Sequence, residues 1–65
     1  MDAGPIDVIR RALEREEAAY ASYIGLAGKA ALPEVRELFL FLAEEERKHA
    51  KLLTDEIEKE TFREM

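Results

Sequence analysis

The sequence predicts an all-α fold, a single antiparallel two-helix hairpin that dimerises into a four-helix bundle. Three observations carry that expectation. Apolar residues recur at helical spacing through two stretches, residues about 5–29 and about 33–61. Between them lies a break at 30–32, too short for anything but a reversal into an antiparallel neighbour. Finally, 65 residues without cysteine have no disulfide to hold a small fold together, so a metal, partner chains or both must do so.

The first helix follows a loose lead-in over residues 1–4. Pro5 suits the first helical position, and Asp7 places a negative charge in the first turn, where the helix dipole favours it. Its apolar stripe is Ile6, Ile9, Leu13, Tyr20, Tyr23 and Ala27, with Arg11, Glu14, Arg15, Ser22 and Lys29 opposite. Glu16 interrupts the stripe, within about 20° of Ile9 and Tyr23 at 100° per residue. Gly28 is expected to cap this helix. Pro33 opens the second helix, with Glu34 and Glu37 in its first turn. Leu32 offers no side-chain acceptor as an N-cap and is read as a hydrophobic clasp over the turn.

The second helix carries the stripe Val35, Phe39, Leu42, Glu46, His49, Leu53 and Ile57. Near its start the run Leu38–Leu42 is apolar all round. Leu40 lies almost opposite the stripe, which hints at a second contact surface. The polar end from Glu58 to Met65 is expected to fray. No repeat or linker interrupts residues 1–65, which read as one domain. Two helices alone enclose no core, so at least a homodimer is expected, its stripes facing inward.

Composition narrows the chemistry. Fifteen acidic against ten basic side chains give a formal charge of −5, which argues against nucleic-acid binding. No apolar run approaches the roughly 20 residues of a membrane span, and the N-terminus lacks a signal pattern. With no cysteine, zinc-thiolate, iron–sulfur and thiol-redox chemistry have no ligands here.

What stands out are the polar groups planted in the apolar stripes. Glu46 and His49, three residues apart, project from one side of a helix. With the turn centred near residue 31, Glu16 and Glu46 each lie about 22 Å from it, on one layer of the bundle. A carboxylate or imidazole in such a stripe is costly unless something inside pairs with it. Two-fold symmetry doubles Glu16, Glu46 and His49 to four carboxylates and two imidazoles, the ligand inventory of a di-iron carboxylate bundle. That donor set suits iron or manganese, other divalent metals being possible. A non-metal reading also stands, in which the polar layer only sets helix register. Glu17, Glu44 and Glu45 read as solvated.

The stretch from Glu16 to His49 resembles the rubrerythrin-type ferritin-like family. The shared pattern is Glu16, Ala19, Tyr23, Pro33-Glu34, Leu38-Phe39, Leu42-Ala43 and Glu46-x-x-His49, matched without a gap over about half the chain. Ordinary members carry two such hairpins. A single one is similar to the encapsulated ferritins, whose ferroxidase centre forms between two subunits. The resemblance implies that Glu16, Glu46 and His49 are iron ligands and catalytic residues, Glu46 being favoured as the bridge. It implies that Tyr23 hydrogen-bonds a ligand carboxylate. It also implies oxidation of Fe(II) to Fe(III) by O₂ for iron storage or detoxification. A higher homo-oligomer and an enclosing encapsulin shell are the expected partners, and the cytoplasm, inside such a nanocompartment, the expected location. The chain departs from the full pattern in having no rubredoxin-like cysteines and no tail resembling an encapsulin-docking peptide. The rival readings are a di-metal peroxidase or oxidase and a non-catalytic dimerisation hairpin.

Overall fold

The computed structural model describes residues 4–63, and it is a hairpin of two long helices, α1 (Pro5–Lys29) and α2 (Pro33–Arg63). Among the described residues there is no strand. Most of the expected lead-in (residues 1–3) and the last two residues of the expected frayed end lie outside the described part. As far as Arg63 the end of α2 is helical, not frayed.

Residues at the start of α1 do what the sequence asks of them. Pro5 stands in its first turn, and the Asp7 carboxylate accepts the Gly4 N–H at 3.4 Å. Glycine has no side chain to return that bond, so only half of a capping box forms. At the other end two expectations fail. Gly28 is an interior residue of α1, not its cap. The helix runs one residue further, ends on an extended Ala30, and no described glycine has a positive φ. The reversal is made in extended backbone and needs no left-handed residue. Leu32 does not clasp the turn: its side chain is exposed, and its carbonyl does the work, accepting Val35 N–H at 3.1 Å and Arg36 N–H at 3.0 Å. The turn is tied by the Arg36 guanidinium, which donates to the Ala30 carbonyl at 3.2 Å.

The helices lie flat against each other in a slab 49 × 23 × 10 Å, one helix thick. A slab has no interior. Of the described residues only Ala27 and Ala43 are buried, both of them small side chains. Phe39, Leu42, Leu53 and Ile57 are half-buried, whereas Leu38, Leu40, Phe41 and Leu52 are exposed. The chain exposes 5253 Å². A compact monomer of this mass would expose about 4,250 Å². The excess is of the size that one partner buries in an ordinary interface, about 800 Å². Among the described residues no helix is long and apolar enough to cross a membrane.

Candidate metal centre

Midway along the slab, Glu16 of α1 meets Glu46 and His49 of α2. One donor atom from each lies within 4.8 Å of the others, and this is the one such cluster among the described residues. The antiparallel pairing brings Glu16 and Glu46 level, while the i, i+3 spacing sets His49 one turn beyond Glu46 on the same flank. Ala43, one turn before Glu46, is buried beside the cluster.

Each group is held differently. The Glu16 and Glu46 side chains are 26% and 22% exposed, whereas His49 is 53% exposed and stands at the rim. His49 Nδ1 lies 3.5 Å from Glu16 Oε2 and 3.8 Å from Glu46 Oε2, ion-pair approaches without hydrogen-bond geometry. Glu16 Oε2 is buried and has no hydrogen-bond partner. The Glu16 carboxyl, close enough to share a proton with Glu46, raises the Glu46 pKa above the ordinary carboxylate value; partial burial adds to the rise and His49 opposes it. Two acids crowded together with an orphaned acceptor is a costly arrangement for a bare protein.

A divalent cation would remove that cost. It would give Glu16 Oε2 a partner and release Glu46 from its repulsion. The donors are carboxylate oxygens and an imidazole nitrogen, with no thiolate, which suits iron or manganese. The residues therefore fit such a cation. Three donors would leave further coordination positions of such a cation to other ligands.

The three ligand candidates read from the sequence thus come together. Tyr23 does not join them: half-buried, it stacks on Phe39 with centroids 6.3 Å apart and interplanar angle 24°, and makes no hydrogen bond to either glutamate within the hairpin. The sequence names Ala43 only within the family pattern; its burial beside the cluster goes unread, because a small side chain carries little hydrophobic signal. On the outer face of α2, Glu44 is engaged by Arg47 at 2.7 and 3.0 Å, and that hydrogen bond holds its carboxyl below the ordinary value.

No curated protein and no solved structure matches the chain. The family model for rubrerythrin does, over residues 7–64, a span that holds all three metal-ligand candidates. With nearly its whole length covered, the chain belongs to the rubrerythrin family, a ferritin-like family of di-iron proteins.

Proposed function

We propose that two copies of this hairpin pair across the Glu16–Glu46–His49 face and act as a ferroxidase, with Fe(II) as substrate. The observation that carries the reading is the buried, unpartnered Glu16 Oε2 beside a second carboxylate and an imidazole, between the helices of a slab that encloses nothing. Two-fold pairing doubles the donors to four carboxylates and two imidazoles, whose charge balances two Fe(II) ions. Two Fe(II) ions give up one electron each to O₂, which takes up two protons and leaves as hydrogen peroxide, while Fe(III) is passed on.

The chain's own residues bind and orient. Glu16 supplies the deepest oxygen, Glu46 the carboxylate best placed to be shared, and His49 the nitrogen at the rim. Binding requires Glu46 to give up any proton it holds, so acid competes with metal. Tyr23, set on α1 toward the turn, is proposed to direct its hydroxyl to a ligand carboxylate once the second copy closes the face.

The test is metal content and O₂ consumption of purified protein after addition of Fe(II). Bound iron and iron-dependent O₂ uptake, both lost in Glu16→Ala and His49→Ala, support the reading. Unchanged metal content in those variants sinks the site. Iron-bound protein that turns over peroxide but leaves O₂ untouched transfers the same site to the rival peroxidase.

A further inference from the structure

A second face of α2 remains after the metal face is used. Leu38, Phe41 and Leu52 are 53%, 60% and 68% exposed and lie along one side of the helix. That side is about 100° round the axis from the stripe of Leu42, Glu46 and Leu53. They are not scattered. Starting at Glu34, the steps to Leu38, Phe41, Glu45, Lys48, Leu52, Asp55 and Lys59 alternate four and three residues, the spacing of a coiled-coil seam. The seam is two-fold complementary when read against itself in reverse. We infer that this face is a second two-fold interface, taken by the same face of another copy running antiparallel, with Phe41 against the partner's Leu52 and Glu45 against the partner's Lys48.

Charge selects that register from its neighbours. In it Glu34 meets the partner's Lys59, so every acid–base position of the seam but one finds its opposite. The exception is Asp55, which falls beside the partner's Leu38, and its carboxylate is already held by Lys51 at 3.1 Å. Sliding one copy by a heptad in one direction sets Glu45 against the partner's Asp55, like against like. Sliding it the other way sets Phe41 against the partner's Glu45 and Leu38 against the partner's Lys48. Within one chain Glu45 and Lys48 stand 3.2 Å apart. In the inferred pairing the two copies close these four groups into a ring of alternating sign at the two-fold axis. Opposite charges across a seam fix partner and direction.

This face stands by itself; only the size of the assembly rests on the proposed metal-face dimer. A chain with two different two-fold faces assembles in even numbers beyond two.

The test is the solution mass of the full chain with Fe(II), for wild type, Glu45→Lys and Lys48→Glu, and for an equimolar mixture of the two variants. Each variant alone opposes like charges across the seam, whereas the mixture restores attraction at both contacts. An effect confined to one helix has no such rescue. The expected result is a wild type of four or more copies, two copies for each variant, and the wild-type mass regained on mixing. Phe41→Ser, at an exposed position, should halve the particle with helix content unchanged. Wild-type mass in both charge variants overturns the inference, as does a mixture that stays at half mass. A wild type of two copies that each variant splits to monomers, restored on mixing, keeps this interface and removes the metal-face dimer instead.

Discussion

At the residue scale the site is governed by crowding between Glu16 and Glu46. A raised Glu46 means that the folded, metal-free chain holds a proton there which the unfolded chain has lost at the same pH. Across that interval folding takes up a proton. This contribution to stability is fully present below the ordinary value and is lost as pH rises through the raised one. Glu46→Gln, a fixed mimic of the protonated state, should therefore stabilise the metal-free protein relative to wild type at about pH 7 and much less at about pH 4. Urea midpoints of both proteins at the two pH values check this, and an equal difference at both would refute it. The same substitution should empty the site of iron. Tyr23 separates packing from hydrogen bonding. Tyr23→Phe keeps the stack on Phe39. It should leave helix content intact while weakening iron affinity or activity by about 10-fold or more, the usual effect of losing a partner to a ligand. An iron titration with unchanged affinity and turnover returns Tyr23 to packing alone.

At the element scale, the buried contact between the two helices is made of alanines, Ala27 and Ala43. Ala43→Leu forces a larger side chain into a buried position and should cost about 1–3 kcal/mol by chemical denaturation. It should also pull Glu16 and Glu46 apart, so iron content falls with stability. Gly28 predicts the opposite sign. It lies inside α1 with no positive φ, and a Cβ there would meet nothing within 4 Å. Gly28→Ala should then stabilise by about 0.5–1 kcal/mol; a loss of stability would show that the residue does cap. Such cases show what was legible beforehand. Periodicity of apolar residues is a strong signal, so both helices and the level meeting of Glu16, Glu46 and His49 could be read from spacing alone. Turn chemistry is a weaker one. Glycine near a helix end resembles a cap whether or not the backbone turns left-handed there, and Leu32 resembles a clasp although only its carbonyl is used. The buried role of Ala43 left almost no trace, since closeness of approach depends on crossing geometry that no single residue encodes.

At the scale of the whole molecule, a slab 10 Å thick with two buried alanines and an excess of exposed area has little to stabilise it alone. Folding and pairing should then be one event. For a folded dimer in equilibrium with unfolded chains, each tenfold rise in concentration favours the dimer by about 1.4 kcal/mol. For a pair of chains this size the unfolding entropy converts that into a rise of about 5 °C in Tm per decade of concentration. On the proposed pairing iron should add to it, because a cation shared by two copies would bind only the assembled state. Saturating Fe(II) under anaerobic conditions should raise Tm further, and the increment should vanish in Glu16→Ala while the dependence on concentration persists. Thermal melts over two decades of concentration, with and without metal, separate the two contributions. A Tm independent of concentration would mean that the hairpin stands alone, and the open side of the Glu16–Glu46–His49 cluster would then face water instead of its own copy.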